Sequence, residues 1–230
     1  MPSRTLKVDL HAHSWYSADS IMSPRSLVRR ARAAGLDRIA VTDHGAIAGA
    51  LEAAKLDPEL VIPGEEISCR GSIHLIGLFL TERIPNRVPV KEAAQRIRDQ
   101  GGVVYAPHPF SYPVGAEWRA AAVLEVADVV EVFNARAFAP GWNERAAAAA
   151  RDLALPGFAG TDAHFESEVG RAHTELDAFT DAASFLAVAQ SALPRTNGKT
   201  PVYIHGVSVA WQVTRLALLS RHGSPPPFFR

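Results

Sequence analysis

Six of the nine histidines in the chain stand at or directly after short apolar runs that are typical of strands. They are His11, His13, His44, His74, His108 and His164. Acidic residues accompany several of them, in Asp-Leu-His-Ala-His at 9–13, Thr-Asp-His-Gly at 42–45, Gly-Glu-Glu at 64–66 and Gly-Thr-Asp-Ala-His at 160–164. Imidazole nitrogens and carboxylate oxygens suit zinc, manganese or iron. The pattern therefore predicts a catalytic metal cluster, which scattered structural histidines would not produce.

The spacing inside two of these motifs favours shared ions. His11 and His13 are two residues apart on an extended segment, whose period of two puts both side chains on one face. Asp162 and His164 repeat this arrangement. A catalytic ion takes about three or four protein ligands and leaves a position for water, so about nine candidate ligands indicate more than one ion. Because any one of these histidines alone is more often structural, the prediction depends on the whole set.

The elements that could position these residues alternate along the chain. Apolar segments predict strands at residues 7–10, 38–42, 61–63, 73–80, 103–106, 129–133 and 157–160. Helical patterns lie at 24–34, 46–56, 88–100, 142–153 and 180–192. This alternation predicts an α/β fold with a mainly parallel sheet. An open doubly wound sheet would usually show a glycine-rich phosphate turn, so we expect a barrel of about seven strands, with the site at their C-terminal ends.

Composition excludes few functions. The 230 residues fit one large domain, and Lys plus Arg and Asp plus Glu both total 24, so no global basic field attracts nucleic acid or an anionic membrane. The single cysteine, Cys69, cannot form an internal disulfide, and residues 1–10 lack the apolar run of a secretory signal. No apolar stretch is long enough to span a bilayer. We therefore expect a soluble, cytoplasmic protein without membrane contact.

The composition changes after Pro194. We expect residues 196–230 to form a C-terminal extension or a helix that closes the lower end of the barrel. The alternative is an oligomer contact, in which Trp211, or Phe228 and Phe229, would pair with another subunit of a homo-oligomer.

Taken in order, the motifs resemble those of the PHP family, named for polymerase and histidinol phosphatase. The resemblance covers nearly the whole chain, and four further segments carry it: Pro-Gly-Glu-Glu-Ile-Ser at 63–68, His-Leu-Ile-Gly at 74–77, Ala-Pro-His-Pro at 106–109 and Glu-Val-Phe-Asn at 131–134. It implies a metal-dependent phosphoesterase on a single distorted (β/α)7 barrel similar to the TIM barrel.

The resemblance also implies how the ligands divide among the ions. One ion would be held by His11, His13, Glu65 and Asp162. Glu65 would bridge to a second ion held by His74 and His108. A third ion would be held by Asp19, His44 and His164, although Asp19 stands in Ser-Ala-Asp-Ser where many members have Ser-Asp-Gly.

Other residues near the motifs receive supporting roles. Asp9 and Asp43 are expected to orient imidazoles through hydrogen bonds from outside the ligand set. Glu66 is expected to be structural. The histidines that match no ligand position, and that we assign to structure or surface, are His173, His205 and His222.

Substrate binding is expected to use arginine, whose planar, permanently charged fork binds a tetrahedral anion through paired hydrogen bonds. Arg171 follows the second Asp-Ala-His motif and is the first candidate. Arg136 and Asn134 follow the strand that ends at Phe133 and are the others. An ordinary surface or salt-bridging role is the alternative for each arginine.

These features favour a phosphomonoesterase that acts on a small phosphorylated molecule, with two or three divalent ions (Zn, Mn or Fe) supplying a metal-bound hydroxide. Glu65 would bridge the ions, and a metal or a protonated His44 or His164 would stabilise the leaving oxygen.

Three alternatives stay open. The first is a nuclease or nucleotide phosphohydrolase, which the missing basic tract with interleaved aromatics disfavours, as does the short span from His74 to His108. The second is carbon-nitrogen (amide) hydrolysis by the same cluster. The third is a non-catalytic module, whose sign would be degraded ligand motifs.

Overall fold

The computed structural model describes residues 5–111 and 115–222, with side chains described as far as residue 215. Its strands are β1 (Thr5–Ala12), β2 (Arg38–Val41), β3 (Val61–Cys69), β4 (Ile73–Leu78), β5 (Val103–Ala106), β6 (Val129–Asn134), β7 (Gly157–Gly160), β8 (Ala172–Asp177) and β9 (Leu193–Thr196). Its α-helices are α1 (Pro24–Ala33), α2 (Ala48–Leu56), α3 (Val90–Asp99), α4 (Glu117–Leu124), α5 (Trp142–Asp152), α6 (Ala182–Val188) and α7 (Val202–His222).

Strands β1 to β7 lie side by side in chain order and curve into a nearly closed barrel. The two ends meet where Ala12 forms a parallel bridge with Ala163, just after β7. There the Asp162 N–H donates to the His11 carbonyl at 2.8 Å. The predicted barrel of about seven strands is therefore confirmed. Strands β8 and β9 and helix α4 were not predicted; β8 is antiparallel to β1 and pairs with its first four residues.

Strand β4 is the exception to the parallel arrangement, because it runs antiparallel to both β3 and β5. A tight hairpin joins β3 to β4, and Gly71 takes a positive φ of 78° in its turn. The reversal puts the first residues of β4 at the mouth, where the parallel strands have their last residues. His74, near the start of β4 and paired with Ser68, therefore reaches the same end of the barrel as the other histidines.

The barrel interior contains apolar side chains from each of the seven strands, among them Val8 and Leu10 of β1. Strict alternation would turn His11 away from the side that Leu10 faces. The register of β1 against β2 shifts between Asp9 and Ala12, however, as in a β-bulge. Bulges re-aim side chains near active sites, and this one lets His11 and His13 face inward above the apolar layer.

The lower end of the barrel is closed by α6 and the segment before it. Phe185 of α6 is fully buried, and its ring centroid lies 5.4 Å from that of Phe158 in β7 and 5.1 Å from that of Phe179. These rings belong to the same apolar cluster as Leu6, at the start of β1.

Helix α7 lies across the opposite end, over the mouth. Its Arg215 guanidinium donates to the carbonyls of Ser17 at 2.9 Å and Trp15 at 2.8 Å, in the loop after β1. On the other side of the mouth, the Thr200 N–H donates to the Ala135 carbonyl at 2.8 Å, just after β6. The prediction that the last helix closes the lower end is therefore wrong, because both anchors belong to loops at the C-terminal ends of strands.

The surface of α7 leaves the oligomer prediction untested. Trp211 is 39% exposed, and Phe228 and Phe229 lie outside the described residues. Within residues 5–111 and 115–222, no helix is both long and apolar enough to cross a membrane.

Candidate metal centre

Nine ligand-type side chains meet at the mouth of the barrel: His11, His13, Asp19, His44, Glu66, His74, His108, Asp162 and His164. Three groups of them have donor atoms within 4.8 Å of one another: His11 with His13 and Asp162, His11 with Glu66 and His108, and His13 with His44 and His164. The groups share members. Ligands far apart in sequence therefore converge as the strand-end motifs predicted, and the arrangement offers adjoining positions for more than one cation.

Glu66 lies at the centre of this cluster. Its Oε2 atom is 3.3 Å from the Nε2 atoms of both His11 and His13, and 3.2 Å from His44 Nδ1. Its Oε1 atom is 2.6 Å from His74 Nδ1 and 3.6 Å from His108 Nε2. One carboxylate thus reaches imidazoles from several strands, which is the position that a bridging ligand requires.

The sequence prediction gave this position to Glu65, and the structure contradicts it. Glu65 accepts a hydrogen bond from the Ile84 N–H at 2.9 Å and lies 3.9 Å from the Arg83 guanidinium, away from the histidines. Adjacent residues on a strand face opposite sides, so only one glutamate of the Gly-Glu-Glu motif can face the barrel interior. Burial raises the pKa of Glu65 to about 7.

Asp19 joins His44 and His164 at one side of the cluster. Its Oδ2 atom is 3.2 Å from His164 Nε2 and 3.5 Å from His44 Nε2. Its Oδ1 atom is buried and has no hydrogen-bond partner among the described residues. The sequence departure at Asp19 therefore does not move it from the position that the resemblance implies.

Buried hydrogen bonds fix the orientation of the imidazoles. His11 Nδ1 is 3.0 Å from Glu131 Oε1, and His13 Nδ1 is 3.0 Å from Ser17 Oγ. Ser17 Oγ in turn donates to Asp43 Oδ1 at 2.8 Å. Each contact occupies Nδ1 and leaves Nε2 directed at the cluster, as in metal sites whose ligands are held from behind.

Only some of these supporting hydrogen bonds agree with the roles expected for Asp9 and Asp43 from the sequence. Asp43 acts on His13 through Ser17. Asp9 instead accepts hydrogen bonds from the backbone N–H groups of His11 and Thr161. Glu131, which does contact an imidazole, was given no role, although it opens the Glu-Val-Phe-Asn motif at the end of β6.

Two of the candidate ligands have strained backbone. His108 has a φ of 27° and Asp162 a φ of 53°, both in a region that residues other than glycine rarely adopt. Such strain persists where the surroundings fix the conformation, and it is concentrated at functional sites. At Asp162 it accompanies the hydrogen bond to His11 that closes the barrel.

The charges of the cluster are strongly coupled. Although burial opposes ionisation, the neighbouring His44 and His74 hold the pKa of Glu66 well below its usual range. Burial also opposes the charged form of His13, yet hydrogen bonds to Asp162 and Glu66 raise its pKa to about 9. Burial and the charge of His13 lower the pKa of His164 to about 4. Without metal, protons on some of the imidazoles thus supply positive charge.

The residues fit a cluster of divalent cations. Buried carboxylates cost free energy unless cations compensate them, and Glu66 and Asp162 lie among imidazoles that can bind a metal once deprotonated. Asp19 Oδ1, beside His44 and His164, is buried without a hydrogen-bond partner among the described residues, as expected of an atom that could bind a cation. The donor set of imidazole nitrogen and carboxylate oxygen is one that binds divalent metal ions.

A cavity of about 380 Å³ opens beside the cluster, and α7 covers part of it. Arg136 and Asn134 line it, together with ligand candidates such as Asp162. The Arg136 side chain is 9% exposed; its Nη2 atom donates to Ser208 Oγ at 2.7 Å, and its Nε atom is 3.3 Å from Glu168 Oε1. Asn134 Nδ2 donates to Asp162 Oδ2 at 3.2 Å.

Arg171 does not line this cavity. Its guanidinium donates to the carbonyls of Ser167 at 3.1 Å and Lys199 at 3.4 Å. The structure therefore contradicts the ranking that placed Arg171 before Arg136. The reason is that the loop after β7 turns Arg171 back onto its own backbone, whereas Arg136 lies under α7.

Two of the remaining histidines, His173 and His205, have described side chains, and only His205 lines the cavity. His173 lies on β8, 3.8 Å from Glu175, and the side chain of His222 is not described. His205 of α7, assigned to structure or surface from the sequence, instead lines the cavity. No sequence motif marks it, because its position depends on how α7 crosses the mouth.

A barrel that gathers histidines and carboxylates into overlapping metal-binding groups at its strand ends defines a metal-dependent hydrolase. The family described as PHP domain matches residues 9–62, and the PHP-associated family matches residues 140–192. The chain belongs to the PHP family and is a metal-dependent phosphoesterase, that is, a hydrolase acting on ester bonds.

Three curated proteins share more than a third of the residues in the matched regions. The uncharacterized protein MJ1587 of Methanocaldococcus jannaschii is 38% identical over 144 residues, 56% of this chain and 82% of that protein. MJ0417 of the same organism is 37% identical over 177 residues, 74% of this chain and 70% of that protein. A 5'-3' exoribonuclease of Haemophilus influenzae is 38% identical over 106 residues, which is 43% of this chain and 38% of that protein.

Solved structures share the fold at low sequence identity. A two-domain Bacteroides vulgatus protein containing a predicted PHP-like metal-dependent phosphoesterase has a TM-score of 0.64 at 21% identity, over 84% of this chain and 65% of that one. A Chromobacterium violaceum amidohydrolase with bound sulfate has a TM-score of 0.60 at 19% identity, over 71% and 89% of the two chains. A lesion-specific endonuclease of Pyrococcus furiosus has a TM-score of 0.59 at 14% identity, over 81% and 56%.

Proposed function

We propose that the protein is a phosphomonoesterase that hydrolyses a small phosphorylated molecule at a site of two or three divalent ions. The observation that carries this proposal is the cavity of about 380 Å³ that joins the metal-ligand cluster to Arg136 under α7. Its volume is in the range of small-molecule sites, which is about 300–1,000 Å³. The proposal takes residues 1–230 as one domain, with residues 196–230 as an extension whose helix covers the site.

The ligand assignment follows from the contacts. His11, His13 and Asp162 would hold one ion, and His74 and His108 a second. Glu66, in place of Glu65, would bridge them, and Asp19, His44 and His164 would hold a third. When bound, such cations neutralise phosphoryl oxygens and lower the pKa of water so that it can attack phosphorus.

Arg136 would orient the phosphate. Its guanidinium stays charged, Nη2 donates to Ser208 Oγ, and Nε lies 3.3 Å from Glu168 Oε1 but has no hydrogen-bond partner among the described residues. A guanidinium N–H group can therefore bind a phosphoryl oxygen. The Asn134 side-chain amide donates to Glu131 and Asp162, and its role would be to position Asp162. Its side-chain oxygen also accepts from the backbone N–H of Arg136.

His44 would donate a proton to the leaving oxygen where no third ion is bound, because it lines the cavity and, although burial opposes its charged form, the charge of Glu66 raises its pKa. The pKa of His164 is lowered to about 4, so its neutral imidazole would serve as a metal ligand instead.

A nucleotide or an RNA end is the second candidate substrate, favoured by the similarity to the exoribonuclease. The cover that α7 provides leaves less room for a long strand than for a single small ester. Amide hydrolysis is the third candidate, supported by the fold shared with an amidohydrolase. The charge of Arg136 in the cavity favours phosphate over an uncharged amide.

The test begins with metal analysis of protein purified without chelator, followed by turnover of phosphomonoesters, nucleotides, short RNA and amides with added manganese or zinc. We expect two or three ions per chain and the highest kcat/KM for small monoesters. We expect the Asp19→Asn protein to bind one ion fewer per chain, while the other metal positions stay occupied. Turnover restricted to RNA or to amides would overturn the proposal, and so would a chain that binds less than one ion.

A further inference from the structure

Aromatic residues form one wall of the cavity, on the side away from the apolar core. Phe138 and Trp142 lie at the end of the loop after β6 and the start of α5, and His205 lies on α7. The Phe138 ring is edge-on to both neighbours, with centroids 4.9 Å from Trp142 and 5.7 Å from His205. Phe138 is nonetheless 62% exposed, so much of the ring faces open space.

Phe138 keeps this exposure although two aromatic rings lie within contact distance. A phenylalanine that only attached α7 to the loop would gain most by burying its faces, since the hydrophobic effect scales with the apolar area removed from water. An exposed ring beside a functional cavity instead offers a surface for stacking by another planar group. Phe138 is therefore placed to contact a ligand.

The face of α7 that borders the cavity carries three polar side chains. His205, Ser208, Val209 and Gln212 line it, and their spacing puts them on one side of a helix. His205 Nε2 is buried and has no hydrogen-bond partner among the described residues. A polar atom on a ligand ring, or next to it, would satisfy this nitrogen.

The metal-ligand cluster lies across the same cavity. Asp162, His164 and Arg136 line it together with the aromatic wall, and Arg136 Nη2 donates to Ser208 Oγ of α7 at 2.7 Å. A phosphate at the cluster would share this cavity of about 380 Å³ with Phe138, so its ester group would occupy the space that the aromatic wall borders. That volume accommodates a phosphate and one ring system rather than a polymer.

We propose that Phe138, Trp142 and His205 form a binding subsite for a planar ring in the alcohol portion of the substrate. This inference rests on the proposed function and narrows it to phosphate esters of ring-bearing alcohols. Phe138 supplies a stacking surface, Trp142 supports it, and His205 supplies one hydrogen bond. Helix α7 is thus part of the substrate site, through a residue with no metal-binding role.

The test compares benzyl phosphate with cyclohexylmethyl phosphate, which have the same number of carbons and similar leaving groups but differ in planarity. Ethyl phosphate serves as the ring-free reference. We expect the wild-type protein to favour the benzyl ester by about tenfold in kcat/KM, the order that aromatic stacking supplies. In Phe138→Leu, which keeps apolar volume without the ring, the preference for the benzyl ester over the cyclohexylmethyl ester should fall below about twofold.

Trp118→Leu is the matched control, because Trp118 is also exposed, at 54%, but does not line the cavity. Benzyl and cyclohexylmethyl phosphonates, titrated by calorimetry, measure the ring preference without turnover. Equal binding of the two phosphonates, or an equal loss for all three esters in Phe138→Leu, would overturn the subsite. Ring-selective phosphonate binding with no monoester turnover would keep the subsite and reject the phosphomonoesterase proposal.

Discussion

His11 Nδ1 lies 3.0 Å from Glu131 Oε1, and both side chains are buried. The carboxylate accepts a hydrogen bond from the His11 Nδ1–H group. This contact directs Nε2 toward Glu66 and Asp162. Glu131 also accepts from the His108 N–H at 2.7 Å through its other oxygen. One carboxylate behind the cluster thus fixes two candidate ligands from different strands.

Replacement of Glu131 by glutamine should weaken metal binding without removing a ligand. The amide keeps the size of the side chain but attracts the Nδ1 proton less, so we expect about a 10- to 100-fold lower metal affinity. Competition with a chromogenic chelator measures this change. Glu92→Gln, on exposed α3, is the control, and equal affinities of the two variants would remove Glu131 from this role.

The two adjacent glutamates on β3 give a sharper contrast. Glu66→Gln removes charge from the centre of the histidine cluster, and we expect loss of bound metal and a fall in kcat/KM of at least about 100-fold. Glu65→Gln keeps an acceptor for the Ile84 N–H and should retain its metal. Metal analysis and turnover of each variant measure these effects. Loss of metal in Glu65→Gln, with metal retained in Glu66→Gln, would restore Glu65 as the bridging residue.

The sequence alone could identify the barrel and most of the cluster. Strand-end motifs identify His11, His13, His44, His108, Asp162 and His164 because parallel strands converge at their C-terminal ends. The sequence could not decide between Glu65 and Glu66, since which of two neighbours faces inward depends on pairing and on bulges such as the one in β1.

The missed residues belong to contacts that local patterns do not encode. Glu131 is recognised only from its distance to His11, 120 residues away in the chain. The cavity role of His205 depends on the path of α7, which hydrogen bonds to the loops after β1 and β6 determine. A C-terminal helical pattern alone does not show which end of a barrel the helix covers.

Metal binding should depend strongly on pH. Against the effect of burial, hydrogen bonds to Asp162 and Glu66 raise the pKa of His13 from 6.5 to about 9. In the metal-free protein this proton stabilises the fold, fully below about pH 6.5 and less as pH rises through about 9. A cation can bind Nε2 only after the proton leaves, so metal affinity should increase over the same interval.

Thermal unfolding with and without manganese measures this linkage. We expect the difference in Tm between metal-loaded and metal-free protein to grow from about pH 6.5 to about pH 8.5. Calorimetric titrations in buffers of different ionisation enthalpy should show proton release on metal binding near neutral pH. A Tm difference independent of pH would show that the site binds metal without displacing protons.

The two arginine candidates should behave differently. Arg136 lines the cavity, with its guanidinium hydrogen-bonded to Ser208 and ion-paired with Glu168, whereas Arg171 donates to backbone carbonyls outside it. Loss of a charge-assisted contact to phosphate in Arg136→Ala should raise KM for a monoester by about tenfold or more, and Arg171→Ala should change it less than about twofold. Arg136→Lys should recover only part of the loss, because an ammonium group cannot contact Glu168, Ser208 and phosphate with the same geometry.

Steady-state kinetics at fixed metal concentration, with melting curves to confirm folding, distinguish the two positions. An unchanged KM in a folded Arg136→Ala protein would exclude Arg136 from phosphate binding and leave the metal cluster to bind the phosphate without it.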